Sequence, residues 1–220
     1  MLDVTKFLSL GGPVVGLLAV LSLVALTVIL VKLWQWWLQR PRPKGVVEQA
    51  LAHLEKGERS QAVILLQGQP NHRAHVISQT LRLLDNGVLG LEGLKNEALR
   101  LARGAAATLS SYLRILEVIA ALAPLLGLLG TVLGMIEAFQ AMQAAGTQVN
   151  PAVLSGGIWQ ALLTTAVGLS IAIPVSITNS WLERKVEVEA AAMLDGLERI
   201  FTLEAERSGQ RPDYREKQVG

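Results

Sequence analysis

An all-α integral membrane protein, with three transmembrane helices and long cytoplasmic helical extensions, is predicted by three features of this 220-residue chain. The first is the spacing of charge: none falls between Lys6 and Lys32, between Glu117 and Glu137, or between Glu137 and Glu183. A bilayer core needs about 20 apolar residues per spanning helix, and each interval supplies them. The second is where the basic residues sit. Of twenty Lys and Arg, one precedes the first span, twelve lie from Lys32 to Arg114, none lies between spans two and three, and seven follow Glu183. Cytoplasmic flanks carry the basic excess, which puts the amino terminus outside and the carboxyl terminus inside. The third is residues 120–139, an apolar run in which Gly127, Gly130 and Gly134 share one helical face. In lipid, helices associate by close backbone approach and interhelical hydrogen bonds, so this face is built to be covered by protein.

The elements follow in order. Residues 1–11 form a short lead on the outer side, of one or two interfacial turns, broken by Gly11, Gly12 and Pro13. Residues 12–38 are the first span, too long for a signal-peptide core, and expected to remain as an anchor that faces lipid. Trp34, Trp36 and Trp37 mark its inner interface, where amphipathic rings sit at headgroup level. Pro41 and Pro43 stop that helix, because proline removes a backbone donor and restricts the residue before it.

Residues 39–116 read as a cytoplasmic helical bundle. Val46, Val47, Ala50, Leu51 and Leu54 recur at helical spacing, as do Ala62, Val63, Leu65 and Leu66, and then Val76, Ile77, Thr80, Leu81, Leu83 and Leu84, closed by Asn86 and Gly87. From Leu91 the helical pattern runs without a strong breaker into the second span, 117–138, which predicts one uninterrupted helix of about 45 residues, or roughly 68 Å. Pro124 could kink it. Residues 139–155 form a short loop on the outer side, the periplasmic side in a bacterial inner membrane. The third span, 156–181, is the most polar, with Gln160, Thr164, Thr165, Gly168, Ser170, Ser176 and Thr178; Ala161, Thr165, Gly168 and Ala172 are assigned to one face. Residues 182–207 continue as a cytoplasmic helix and 208–220 as a flexible tail.

Composition excludes several classes. The net charge of +2 is too small to argue for nucleic acid, and the absence of cysteine removes disulfides and thiolate ligands. No phosphate loop, nucleophile elbow or zinc signature is present, so neither an enzyme, a cofactor nor a metal is expected. His72 and His75 have no cysteine or carboxylate beside them to complete a metal set. Thr131 and Thr165 both fall near mid-span on small-residue faces. Each hydroxyl either bonds back to the carbonyl four residues earlier, Gly127 for Thr131 and Ala161 for Thr165, or joins two helices, or it lines a polar lumen. Glu137 is either a solvated interfacial carboxylate or a group at a pore mouth. Proton relays through membranes generally use ionisable groups, and none occupies the centre of any span. If the protein moves protons, the titrating group must come from another chain.

Residues 123–139, Ala-Pro-Leu-Leu-Gly-Leu-Leu-Gly-Thr-Val-Leu-Gly-Met-Ile-Glu-Ala-Phe, and residues 157–174, Gly-Ile-Trp-Gln-Ala-Leu-Leu-Thr-Thr-Ala-Val-Gly-Leu-Ser-Ile-Ala-Ile-Pro, resemble the MotA/TolQ/ExbB proton-channel family. With three spans, the chain looks closest to the ExbB/TolQ branch. That resemblance implies a homo-pentamer in the bacterial inner membrane, in which spans two and three line a pore around single-span partners of the ExbD or TolR type. A partner aspartate then titrates, and a TonB- or TolA-like protein receives the work, as in biopolymer or protein transport. The family's pore threonines match Thr131 and Thr165, with Thr164, Gln160 and Glu137 completing the candidate proton path. Its small pore-packing residues match Gly127, Gly130, Gly134, Ala161 and Gly168. Many members carry a glutamate where this chain has Gln160, so the partner's aspartate carries more of the mechanism here. The competing expectation is a membrane scaffold that assembles partners without conducting.

Overall fold

The computed structural model describes residues 4–38, 45–87, 90–144, 151–207 and 209. The prolines that were expected to stop the first helix, the middle of the loop after the second span, and nearly all of the tail lie outside these residues. Among the described residues there are seven helices: α1 (Val4–Leu38), α2 (Val46–Glu55), α3 (Arg59–Leu66), α4 (His72–Asn86), α5 (Leu91–Ser110), α6 (Leu113–Ala144) and α7 (Pro151–Arg207). Three stretches are long and apolar enough to cross a membrane, Gly12–Leu38, Leu113–Ala144 and Leu154–Arg207. The chain divides into two compact units, one of residues 1–33 and 112–183, the other of residues 34–111 and 184–220.

The second unit is a small bundle whose apolar faces were legible in the helical spacing. Its core joins Val46, Val47, Ala50, Leu51 and Leu54 of α2 to Ala62 and Leu66 of α3, Ala74, Ile77 and Leu81 of α4, and Ile200 of α7. Burying one such aliphatic side chain contributes about 1.5–3 kcal/mol, so these residues hold the unit together. Asn71 caps α4 by accepting from the Arg73 N–H at 2.9 Å. Gly87, at φ 62°, ends α4 in the left-handed conformation that a side chain resists.

Polar ties are added at the edges. Arg59 of α3 donates to Asp85 of α4 at 3.0 Å and pairs with Glu204 of α7, while Arg207 of α7 donates to the Leu54 carbonyl at 2.6 Å. Arg73 donates to Glu48 at 2.6 Å. Burial alone would lift the Glu48 carboxyl, but backbone hydrogen bonding and the Arg73 guanidinium outweigh it and hold the group below its ordinary value. The stabilisation from this pair is therefore complete above the usual carboxylate range, near ~4.3, and is lost as pH falls through the lowered value. Glu48→Gln should remove that part of the acid limb, seen by circular dichroism, and by less than about 1 kcal/mol because the pair is solvent-screened.

The first unit holds the apolar segments. Within α1 the backbone is non-helical at Gly12 (φ 63°, ψ −168°), a conformation that is essentially glycine's alone. Pro13 follows at a first helical position, where its missing N–H costs nothing. The expected break before the first span is therefore present. From there α1 is not uniformly outward-facing: Val14, Leu18, Ala25 and Lys32, at steps of four and seven, are buried, while Leu17, Val20, Leu23, Leu26 and Leu30 are exposed. Val14 and Leu18 pack against Ala123 of α6 and Ala172 of α7.

The predicted uninterrupted helix through residues 91–138 is not what forms. α5 ends at Ser110, Ser111 is extended (φ −52°, ψ 142°), and Tyr112 takes φ 66° before α6 begins at Leu113. The local hydroxyls supply the reason. Thr108 donates to the Gly104 carbonyl at 3.0 Å, Ser110 to Ala107 at 3.1 Å and Ser111 to Thr108 at 2.7 Å. Serine and threonine that bond nearby backbone compete with helix continuation. A tyrosine at positive φ is a genuine outlier. Its ring lies under the buried Lys32, with Nζ 5.8 Å from the ring centroid, in the range of a cation–π attraction.

Candidate functional site at the crossing of α6 and α7

On α6 the buried positions are Leu113, Leu116, Ile119, Ala123, Gly127, Gly130, Gly134 and Ala138, at steps of three and four. On the part of α7 in the same unit they are Ala161, Thr164, Gly168, Ala172, Val175, Asn179 and Leu182, with the same stepping. These are two helical seams of one pitch. Gly157 lies against Ala138, Ala161 against Gly134, Thr164 against Gly130 and Gly168 against Gly127 and Ala123, so the helices run antiparallel.

Their approach leaves no room for side chains. A Cβ on Gly168 would come within 2.5 Å of the Ala123 carbonyl oxygen, and one on Gly130 within 2.5 Å of Thr164 Oγ1. A Cβ on Gly127 would lie 3.0 Å from Thr165 Cα, and one on Gly134 3.2 Å from Ala161 Cβ. All five residues assigned to pore packing, Gly127, Gly130, Gly134, Ala161 and Gly168, thus meet in one interface. Gly157 belongs with them, since its Cβ would be 2.5 Å from that of Ala138; the four-residue step below Ala161 is the signal that points to it.

At the centre of the crossing two hydroxyls converge on one carbonyl. Thr164 Oγ1 donates to Ala161 O at 2.7 Å and reaches Gly127 O at 3.2 Å, and Thr165 Oγ1 donates to the same Gly127 O at 3.0 Å. Thr164 is 2% exposed and occupies the seam, whereas Thr165 is half-buried at its edge. The face assigned from the sequence to Ala161, Thr165, Gly168 and Ala172 therefore has Thr164 at its centre.

Thr131 is half-buried and donates to the Leu128 carbonyl at 2.6 Å, a local back-bond to the carbonyl three residues earlier and not to the expected Gly127, whose carbonyl takes the Thr165 hydroxyl from α7. No hydrogen bond joins Thr131 to Thr165 among the described residues. Gln160 is half-buried near the Gly157 end of the seam, with Nε2 3.8 Å from the position a Gly12 Cβ would take. Glu137 is exposed and stands apart from the hydroxyls.

What this geometry offers chemically is a tightly packed helix pair with the Thr164 hydroxyl inside it, the Thr165 hydroxyl at its edge, and no ionisable group along its middle. Thr165 is the one whose hydrogen bond crosses between helices from a half-buried position, so its oxygen can also accept. No group of three or more His, Asp or Glu side chains able to hold a metal occurs among the described residues.

A search of curated proteins gives no match. The family model described as the MotA/TolQ/ExbB proton channel family matches residues 72–194, which is more than half of the chain and includes the whole of α6 and the α7 seam that covers it. With three helices able to cross a membrane and this matched region, the chain belongs to the MotA/TolQ/ExbB proton channel family.

Proposed function

We propose that the protein is the channel-forming subunit of an ExbB/TolQ-like motor in the bacterial inner membrane, a homo-pentamer that uses the proton gradient to drive envelope transport or maintenance. The observation that carries this reading is the α6/α7 seam, where Thr165 presents a half-buried hydroxyl beside Gly127 in a span that contains no titratable group. A proton crossing there needs a carboxyl from a second chain, and an ExbD/TolR-like single-span helix with a membrane aspartate is the partner that provides one. Thr131 and Thr165 then solvate the aspartate as it gains and loses its proton, while the glycine seam behind them holds α6 against α7. One charge crossing 100 mV releases about 2.3 kcal/mol, enough to bias a conformational step.

The basic excess on residues 32–114 and after Glu183 supports an outer amino terminus, with helices α2–α5 and the end of α7 in the cytoplasm. A TonB- or TolA-like protein would take the work outward. Gln160 favours the second reading, a non-conducting scaffold, because an amide there cannot exchange a proton.

Proteoliposomes containing the chain and its single-span partner separate the two readings. The motor requires proton flux that disappears when the partner's membrane aspartate is replaced by asparagine. Flux indifferent to that replacement, or no flux from an intact pentamer, supports the scaffold. Native mass of the gently extracted complex supplies the stoichiometry.

A further inference from the structure

A cleft of about 390 Å³ opens between α6 and α7 at the Tyr112 end of their seam, lined by Glu117, Ala120, Ala121, Ser176, Asn179, Ser180 and Glu183. It is rich in acceptors. Asn179 is 6% exposed; its Nδ2 donates to Glu183 Oε1 at 2.9 Å, and its buried Oδ1 has no hydrogen-bond partner among the described residues. An orphaned buried acceptor calls for a water or an ion. Proline at position 124 has no N–H, so the Ala120 carbonyl on the cleft wall also lacks its usual helical donor.

The cleft shares a helical face with the threonines. Ser176 lies 11 residues beyond Thr165 and Glu183 lies 18 beyond it, close to three and five whole turns of α7. Ala120 lies 11 residues before Thr131, three turns along α6 in the same direction. Asn179 Nδ2, by donating to Glu183, holds that carboxylate toward the cleft as a base. The charged groups at this end are Glu117 of α6, paired with Arg114 at 3.0 Å, and Lys32 of α1 over the Tyr112 ring; on α7 itself Arg184 pairs with Glu187 at 3.1 Å. No cation pairs with Glu183 among the described residues.

The geometry points to a hydrated vestibule in which Glu183, positioned by Asn179, exchanges protons between the threonine level of the pore and bulk water. A proton arriving from the threonine level binds a water held by Asn179 Oδ1 and the Ser176 and Ser180 hydroxyls, that water passes one of its own protons to the Glu183 carboxylate and is left neutral, and the resulting carboxylic acid returns the proton to solvent. In the reverse direction the same bonds form and break in the opposite order. This assignment rests on the proton-conducting reading above, and it adds a titrating residue of this chain to a path whose other titrating group belongs to the partner.

The test is partner-dependent proton flux in proteoliposomes as a function of pH, for the wild type, Glu183→Gln, Glu183→His and Asn179→Asp. Glu183→Gln is expected to lower flux about tenfold or more, as loss of a positioned acid–base group does. Glu183→His should restore much of it, with a pH midpoint moved toward that of imidazole, ~6.5. Asn179→Asp should retain folding and shift the profile, because a second carboxylate beside Glu183 disfavours its charged form. Wild-type flux from Glu183→Gln overturns the assignment, as does a Glu183→His profile with an unmoved midpoint, which would make the residue structural. Absence of flux in the wild type itself sinks the conducting reading and the vestibule with it.

Discussion

Replacing Thr165 by valine is expected to suppress partner-dependent proton flux by about 10- to 100-fold while the complex still assembles. The substitution nearly conserves volume and shape, and removes only the hydroxyl whose hydrogen bond reaches Gly127 O at 3.0 Å. Losing one hydrogen bond to a charged or charging group costs about 1.5–3 kcal/mol, which at 1.36 kcal/mol per factor of ten gives that range. The Gly127 carbonyl keeps the Thr164 hydroxyl at 3.2 Å, so no buried acceptor is orphaned and the fold has no reason to fail. Thr164→Val is the informative companion. It strips a donor from a residue that is 2% exposed, and should weaken assembly more than the flux per assembled complex. Flux unchanged in Thr165→Val complexes of normal mass would remove this hydroxyl from the mechanism.

The second large effect is steric and is graded by distance. Gly168→Ala sets a methyl 2.5 Å from the Ala123 carbonyl oxygen and 3.2 Å from Gly127 Cα, both backbone atoms that cannot rotate aside. The helices must separate. Overpacking of this kind costs about 1–3 kcal/mol, more than the roughly 1 kcal/mol that alanine gains over glycine in a helix interior. Gly134→Ala meets a methyl at 3.2 Å and should be milder, while nothing lies within 4 Å of a Cβ at Gly156, so Gly156→Ala should be neutral or stabilising. Resistance of the purified chain to denaturant reads the order directly. Equal effects at positions 168 and 156 would mean that the seam is not the interface that holds α6 to α7.

The glycine seam and the three apolar stretches were legible because both are written in local spacing: charge-free intervals long enough for a bilayer, and small residues at steps of three and four. The same logic found the short helices α2, α3 and α4. It did not find the end of α5. A tyrosine is a poor candidate for positive φ, and the apolar pattern through Leu109, Leu113 and Leu116 continues across the break as though the helix did. Nor could spacing decide between Thr164 and Thr165, adjacent residues about 100° apart on α7, because the choice depends on the register of α6 opposite. Lys32 read as a flanking charge, yet it is buried over an aromatic ring that lies 80 residues away in sequence. Asn179 drew no assignment, and Glu183 served only to bound the third charge-free interval. The signal was available in the 11- and 18-residue intervals from Thr165, but only the cleft gives those intervals meaning.

The Gly127 carbonyl has a spectroscopic consequence. The Thr165 hydroxyl donates to its oxygen at 3.0 Å, which weakens the C=O bond and lowers its stretching frequency relative to carbonyls that accept from a backbone N–H alone. A heavy-isotope pair placed at that one carbonyl would separate its band from the rest of the amide envelope. If the Thr165 hydroxyl turns toward an arriving carboxyl, the band must rise. A single covalent bond in the middle of the seam would then report each protonation event optically, without a probe, a label on the partner or any change to the side chains that line the path.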